Sequence, residues 1–284
     1  MTIGSLDDLA SSVRQLILYS KNPASVPRLA VGTVWQAIHD TPGIPAPVAA
    51  LAVGNTANGI VPTSATTGFP PINAFATGYL TAVEFTNILP CRLMLYDRLF
   101  HAGDYSFAAG TTTLASQPSY AARVPGADYK GLQIWFESAT LWQTGNNWNA
   151  TVTYTNAAGV AGRTATLTGG PFAAGSFAVS RLMQFALQSG DSGVQKIESV
   201  IVTNGVTAMT SGSFNVFVAR PLWAGRVLPC GTNVTQFLTA VRHGIEQVGM
   251  PPIYSDSALC VMTCADSASF GLGVPDLMVE ISAL

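Results

Sequence analysis

The chain has 284 residues, of which 48% are hydrophobic and only 10% are charged, and its formal net charge is -2. An ordinary soluble protein carries roughly a quarter charged residues, so we expect much of this surface to be covered by other protein rather than by water. The sequence has no basic cluster that would bind DNA or RNA, and no apolar run long enough to cross a membrane.

Residues 1–40 are predicted to begin with a helix over residues 5–20. Ser5 followed by Asp8 resembles a capping box, and apolar residues recur at helical spacing. A lone amphipathic helix must bury this apolar stripe on its own domain or on a neighbouring subunit. The candidate assembly contacts in the stripe are Leu6, Leu9, Val13, Leu16 and Ile17.

The segment Met1–Asp8 has neither the basic start nor the apolar stretch of a signal peptide. We therefore expect synthesis in the cytoplasm without export. A chain of this kind that belongs to an assembly would be incorporated into that assembly inside the cell.

Residues 41–84 are predicted to form an extended arm. No Asp, Glu, Lys or Arg occurs from Thr41 to Val83, and six prolines and five glycines leave no room for a helix of useful length. Long loops usually have a binding role or are disordered, and this one is too apolar for solvated disorder. We predict that it lies against neighbouring subunits. Its candidate contacts are Ile60, Phe69, Ile72 and Phe75.

Residues 85–228 are predicted to form an antiparallel β-sandwich that is jelly-roll-like. Short runs rich in β-branched and aromatic residues alternate with turn residues, a pattern typical of sandwiches. The predicted strands are Arg92–Leu99, Leu132–Ser138, Thr151–Thr155, Arg163–Thr168, Ser199–Thr203 and Ser213–Ala219. The third and fourth of these flank a glycine-containing turn and are predicted to pair as a hairpin.

Residues 229–284 are predicted to add a helix and two strands. Apolar residues at helical spacing cover Asn233–Val248, and Gly249 suits the C-cap position. The candidate assembly contacts on this helix are Phe237, Val241 and Ile245. The predicted strands are Ala258–Met262 and Leu277–Ile281. The whole chain is therefore predicted to be mainly β, with helical and extended appendages.

The cysteines do not form a recognisable metal site. They are Cys91, Cys230, Cys260 and Cys264, and no nearby histidine completes a zinc set. We interpret them as small buried residues, with disulfide formation outside a reducing cytosol as the alternative. No Walker loop, dinucleotide fingerprint or paired-histidine motif occurs, so no metal or cofactor is predicted.

The most enzyme-like string is Gly190-Asp191-Ser192-Gly193, which resembles the nucleophile turn of trypsin-like proteases. Ser192 would then be the nucleophile, but the upstream His39 and His101 do not stand in the sequence setting of that family. Asp, Ser and Gly are also ordinary turn residues. We predict a structural turn and no catalysis, with a serine hydrolase as a remote alternative.

Other polar and aromatic residues favour structural roles. We expect Asp97 and Arg98 to form structural ion pairs at the end of a sheet. Three tryptophans, Trp135, Trp142 and Trp148, lie near predicted strands and are more typical of core or interface anchors than of a sugar-binding platform. Carbohydrate binding through exposed tryptophans stays open as an alternative.

Several segments, in the same order along the chain, resemble virion structural proteins of tailed bacteriophages, of a capsid-associated, decoration-like kind. The segments are Leu6–Leu9, Lys21–Pro23, Val34–Trp35, Leu93–His101, Thr153–Asn156, Gly159–Thr164, Leu187–Gln195, Ser199–Val200, Phe214 and Ala219–Leu222. The resemblance implies a structural particle component and supports a turn at Gly190. Residues 226–284 extend beyond the resembling pattern.

Together these features predict a non-enzymatic component of a bacteriophage particle. The predicted role is to bind and reinforce the capsid shell as a multi-copy decoration or minor head protein. Its expected partners are copies of itself and the major capsid protein or another virion protein, and its expected location is the virion. A tail, adaptor or fibre-base protein is the alternative structural role.

Overall fold

The computed structural model describes most of the chain, in ten stretches. These are residues 3–22, 35–47, 55–75, 77–87, 90–140, 148–169, 180–204, 211–227, 239–265 and 274–284. Strands dominate these stretches and helices are few and short. None of the described helices is long and apolar enough to span a membrane.

Two α-helices and sixteen strands are described. The helices are α1 (Leu6–Ser11) and α2 (Ile245–Val248). The strands are β1 (Val13–Lys21), β2 (Trp35–Ala37), β3 (Gly43–Ile44), β4 (Gly78–Asn87), β5 (Cys91–Ser106), β6 (Gly110–Thr113), β7 (Gln133–Ser138), β8 (Trp148–Asn156), β9 (Arg163–Gly169), β10 (Arg181–Gln184), β11 (Val194–Asn204), β12 (Ser213–Val227), β13 (Thr239–His243), β14 (Pro252–Ile253), β15 (Leu259–Ala265) and β16 (Asp276–Ala283).

The strands form three sheets, and every described strand pair is antiparallel. Sheet I has the order β13-β4-β16-β1-β3, with β14 also paired to β4. Sheet II closes on itself in the order β10-β2-β15-β5-β12-β7. Sheet III has the order β6-β11-β8-β9. The prediction of a mainly β protein with antiparallel, sandwich-like sheets is confirmed.

Apolar residues fill the spaces between the sheets and the inside of sheet II. One cluster packs Ile17 of sheet I against Leu93 of sheet II. Another packs Trp148 of sheet III against Phe214 of sheet II. A third draws on all six strands of sheet II, and its members include Ala37, Tyr96, Trp135, Leu182, Phe217 and Cys260. Burial of these side chains is the main force that holds the layers together.

The strands predicted between residues 92 and 219 are confirmed, and several are longer than predicted. The hairpin is also confirmed, because β8 pairs with β9 and Tyr154 lies opposite Arg163. The strands β11 and β12 follow each other in the chain but belong to different sheets. The strands β15 and β16 lie where two C-terminal strands were predicted.

The predicted N-terminal helix is wrong for most of its length. Ser5 does cap a helix, with its side chain accepting a hydrogen bond from the backbone of Asp8 at 3.1 Å, but α1 ends at Ser11. Residues from Val13 onward form β1, which pairs along its length with β16. Ile17 and Tyr19 alternate toward the core in this strand, and the apolar face of β16 supplies a partner that helical spacing does not reveal.

The predicted C-terminal helix is also largely wrong. The described part of that region is β13, which pairs with β4, followed by the single-turn helix α2. Gly249 ends α2 with φ 67, so its predicted role as a C-cap is confirmed. Residues 233–238, including Phe237, lie outside the described residues.

Strands from all four predicted segments pair with one another. The strand β2 comes from residues 1–40, and it pairs with β15 from the C-terminal segment and with β10 from the central one. The strand β4 crosses the boundary that the sequence placed after residue 84. The sheets therefore join parts of the chain that the sequence pattern treats separately.

Candidate assembly surface

The surface with the clearest capacity to bind another protein lies on β1, at one side of sheet I. The strand β1 pairs with β16 from Val13 to Ser20, but on its other side β3 pairs only with Ser20 and Lys21. Among the described residues, no strand pairs with that side of β1 from Val13 to Tyr19. We call these seven residues the β1 edge.

Apolar side chains on the β1 edge are exposed. Val13 is 66% exposed, Leu16 is 61% exposed and Leu18 is 50% exposed, whereas Ile17 and Tyr19 point into the core. Leu16 and Leu18 lie on the outer face of sheet I, opposite Glu280 and Met278 of β16. An exposed strand edge with apolar side chains is a template for pairing with another chain.

Polar contacts hold the side of β1 that faces the core. The Gln15 side chain donates to the carbonyl oxygen of Pro71 at 2.9 Å and accepts from the backbone N–H of Asn73 at 2.8 Å. The buried Lys21 ammonium donates to the carbonyl oxygens of His39, Thr41 and Pro45. Burial lowers the pKa of Lys21 to about 8. These contacts fix β1 near its start, at Gln15, and at its last residue, Lys21.

The other predicted contact residues are scattered over the molecule. Leu6 is 80% exposed on α1, and Leu9 is half-buried. Val241 packs on the sheet I core from β13, and the half-buried Ile245 begins α2. Val13, Leu16 and Leu18 thus form an exposed apolar group on one described strand, and Leu18 is a member that the sequence prediction missed.

The uncharged segment lies on this chain's own sheets where it is described. Phe69 is buried in the core inside sheet II. Ile72 is buried in the core shared by sheets I and II, and Phe75 packs against that same core. Ile60 is half-buried and exchanges two backbone hydrogen bonds with His101 of β5. The predicted contacts Phe69 and Ile72 are therefore wrong, because these side chains face the chain's own cores. Contact of residues 55–75 with neighbouring subunits stays a prediction. Residues 48–54 lie outside the described residues.

A buried ionic network lies in sheet II and under its loops. The Arg98 guanidinium donates to Glu137 at 2.5 Å and packs over the Phe217 ring. Asp97 accepts hydrogen bonds from Arg220, from the Ser257 hydroxyl and from the backbone of Ala258. Asp97 forms structural pairs as predicted, but it lies in the middle of β5 rather than at the end of a sheet. Arg98 pairs with Glu137, a partner that the sequence did not indicate.

Arg123 links this network to two loops. Its guanidinium donates to the carbonyl oxygens of Pro62, Asp256 and Arg98 at 2.6–2.7 Å, and it lies 3.7 Å from the Asp97 carboxylate. Burial alone would raise the pKa of Glu137, but the charge of Arg98, followed by that of His39, lowers it to about 2. Each of the three guanidinium groups, those of Arg98, Arg123 and Arg220, lies 2.5–3.7 Å from one of the two carboxylates, which is the arrangement of a structural network.

The string Gly190-Asp191-Ser192-Gly193 belongs to a turn. The backbone N–H of Asp191 donates to the carbonyl oxygen of Gln188 at 3.0 Å, and Gly190 has φ 89, as the third residue of a type II turn requires. The Asp191 carboxylate accepts hydrogen bonds from Tyr154, Asn156 and Arg163, at 2.6–2.9 Å. The turn predicted from the sequence is confirmed.

The partners of Asp191 all lie on the β8–β9 hairpin, so the turn locks that hairpin to the start of β11. Burial alone would raise the pKa of Asp191, whereas the hydrogen bonds from Arg163, Tyr154 and Asn156 lower it to about 2. Ser192 is exposed, and its hydroxyl has no hydrogen-bond partner among the described residues. Asp191 is thus committed to the hairpin rather than to a histidine.

A groove of about 390 Å³ opens beside this hairpin. Tyr129, Gln117, Gln195 and Lys196 are among its lining residues, which include no histidine, cysteine or carboxylate. The groove offers hydroxyl, amide and ammonium groups for polar contact. Among the described residues, no cluster of three or more His, Cys, Asp or Glu side chains is placed to hold a metal ion.

The described cysteines and three of the four described tryptophans are buried, and the fourth, Trp35, is half-buried. Trp135 and Trp148 are core residues, so neither presents an exposed ring to a sugar. Cys91, Cys260 and Cys264 are buried as well, in agreement with their interpretation as small core residues. Trp142 and Cys230 lie outside the described residues.

The sequence matches no protein-family model and no curated protein sequence. Comparison with solved structures finds VP2 of infectious bursal disease virus in a subviral particle, at 10% identity and a TM-score of 0.23, covering 97% of this chain and 80% of that one. A mutant VP2 of the same virus, in T=1 particles, has 12% identity and a TM-score of 0.22, covering 95% of this chain and 61% of the other. At these TM-scores the overlap is too small to transfer a fold or a function.

Proposed function

We propose that this chain is a non-enzymatic structural protein of a virus particle, and that it binds and reinforces a capsid shell in many copies. The observation that carries the proposal is the β1 edge, where exposed apolar side chains occur on a strand edge that no described strand pairs with. A free monomer with such an edge is prone to uncontrolled association, whereas a subunit of an assembly covers it.

Composition and sequence resemblance support the same role. Charged residues make up 10% of the chain, too few to cover the surface of an ordinary soluble monomer. The ordered resemblance to virion proteins of tailed bacteriophages makes a decoration or minor head protein the specific form of the proposal. The partners in this role are other copies of the chain and the major capsid protein.

Quantitative mass spectrometry of purified phage particles, with heads separated from tails, tests this role. We expect the chain in the head fraction, in a fixed ratio to the major capsid protein. A chain found only in the tail fraction would replace the head role with the tail, adaptor or fibre-base alternative. Absence from intact particles would overturn the proposal.

The hydrolase alternative has a separate test in labelling with a fluorophosphonate probe. Asp191 is held by three partners on the β8–β9 hairpin, so we expect the wild-type protein to remain unlabelled. Ser189→Ala is the matched control for Ser192→Ala, because both serines are exposed in the same loop. Labelling that Ser192→Ala abolishes and Ser189→Ala preserves would show that the chain is an enzyme.

A further inference from the structure

We propose that the β1 edges of two copies of this chain pair with each other, so that two copies of sheet I join in one continuous antiparallel sheet. The two-fold axis passes through Leu16. This inference rests on the proposed function, because it specifies how copies of the chain meet in the assembly.

Backbone groups on β1 have the orientation that such pairing needs. The N–H of Asn22 donates to Pro42 on the β3 side, and the N–H of Lys21 donates to Pro275 on the β16 side. Successive residues of a strand point their N–H and C=O groups to opposite sides, and β1 pairs with β16 without a register shift. Arg14, Leu16 and Leu18 therefore direct their backbone groups toward the free side.

The length of the free side sets the register. At one end β3 already pairs with Ser20 and Lys21, and at the other end α1 and its cap occupy the chain up to Ser12. The β1 edge between them is centred on Leu16. Antiparallel pairing about Leu16 uses the whole edge and makes about six backbone hydrogen bonds. A pairing centred on Ile17 would bring Arg14 of the second copy to Ser20, where Ile44 already lies.

Side chains are complementary in this register. Leu16 meets Leu16 of the second copy, and Leu18 meets the aliphatic part of Arg14, so the two exposed leucines are covered. Val13 lies opposite the backbone of Tyr19, whose ring points into its own core. Each Arg14 guanidinium keeps its own Glu280 at 4.0 Å, and the two Arg14 charges do not oppose each other. A second copy therefore fits the edge in shape and charge.

The β1 edge also lacks the features that prevent strands from pairing. Natural edges are protected by charged side chains, prolines or bulges. From Val13 to Tyr19 the only charged residue is Arg14, there is no proline, and the strand has no bulge. Pairing about Leu16 sets each residue of one β1 edge opposite a residue of an identical edge. The occupant that uses the whole edge in this way is another copy of this chain.

Cysteine cross-linking tests the register in the full-length protein. Leu16 is the one position that faces itself, and directly opposed residues are about 5.5 Å apart at Cα, a distance that a disulfide spans. We expect Leu16→Cys to give a disulfide-linked dimer under mild oxidation. Wild type and Val160→Cys, an exposed position in the β8–β9 turn, are the controls and should remain uncross-linked. Cross-linking of Leu18→Cys but not of Leu16→Cys would overturn the register.

Light scattering coupled to size exclusion tests the interface itself. We expect wild-type protein to dimerise with rising concentration, and Leu16→Lys to shift the dissociation constant at least about tenfold toward monomer, with unchanged circular dichroism. Val160→Lys should behave like wild type. A wild type that is monomeric at all concentrations, or a dimer that survives Leu16→Lys, would overturn the pairing.

The two proposals fail in different ways. If the chain is present in particle heads but does not dimerise through β1, only the pairing is wrong. If it dimerises through β1 but is missing from particles, the pairing stands and the proposed function is wrong.

Discussion

Glu137 is the residue whose environment most clearly links charge to stability. It lies buried in sheet II and accepts hydrogen bonds from Arg98 at 2.5 and 3.4 Å. Breaking a buried ion pair leaves the other charge without compensation, which is far more costly than losing an exposed pair. The buried network is therefore a structural support of the sandwich.

We expect Glu137→Gln to lower the free energy of unfolding by roughly 3 kcal/mol, because the Arg98 charge stays buried without its counter-charge. Urea unfolding followed by circular dichroism measures this. Asp128→Asn is the control, since Asp128 and Lys130 form an exposed pair and its change should be within about 0.5 kcal/mol. Equal effects of the two variants would contradict the structural role of Glu137.

Stability should fall in acid for the same reason. The pKa of Glu137 is about 2 in the folded chain against 4.5 ordinarily, so its contribution is complete above pH 4.5 and is lost as the pH falls toward 2. The loss amounts to about 3 kcal/mol. Urea unfolding at about pH 7 and about pH 3 should show roughly 2 kcal/mol of this loss, because Glu137 is still mostly ionised in the folded chain at pH 3. Glu137→Gln should weaken this pH dependence, and an unchanged dependence would exclude Glu137 as its source.

Among the elements, the turn at Gly190 shows how a loop fixes a hairpin. Gly190 has φ 89, and a Cβ at this position would meet no atom within 4 Å. Substitution there consequently tests backbone conformation rather than crowding. Asp191 depends on this turn for its bonds to the β8–β9 hairpin.

We expect Gly190→Ala to destabilise the protein by roughly 1 kcal/mol, because L-residues disfavour positive φ. Gly110→Ala in β6 is the matched control, since its Cβ would also meet no atom within 4 Å and its φ is not in the positive range. The control should be neutral or slightly stabilising. Thermal unfolding of both variants measures the difference, and equal melting temperatures would show that the turn is not strained by alanine.

At the scale of the whole molecule, the described part of the uncharged segment covers the chain's own sheets. Phe69 belongs to the core inside sheet II, and Ile72 belongs to the core beneath sheet I. A charge added at a buried site of this segment should therefore impair folding as well as assembly.

We expect Phe69→Asp to destabilise the protein by at least about 3 kcal/mol, because it removes a buried ring and buries a charge. Thr67→Asp, at an exposed position two residues away, should change stability by no more than about 0.5 kcal/mol. Differential scanning calorimetry compares them. If the Phe69→Asp variant folds normally and only fails to enter particles, Phe69 contacts a neighbouring subunit rather than the chain's own core.

Local patterns in the sequence are sufficient to predict several features of the fold. These are the β class, the strands from residue 92 to 219, the β8–β9 hairpin, the cap at Ser5 and the turn at Gly190. Each of these depends on residues close together in the chain, such as alternating β-branched side chains or a glycine that accepts positive φ. The low content of charged residues likewise predicts, from the sequence alone, that other protein covers much of the surface.

Only the tertiary structure decided the conformation of Val13–Lys21 and Thr239–His243 and the packing of the described part of the uncharged segment. Each has apolar residues that fit more than one local conformation, and the choice depends on a partner distant in sequence. Val13 pairs beside Ala283 near the other end of the chain, and Phe69 packs into the closed sheet. Pairing energy from such distant partners outweighs local helical spacing, which is why the exposed β1 edge emerges only once the strands are assembled.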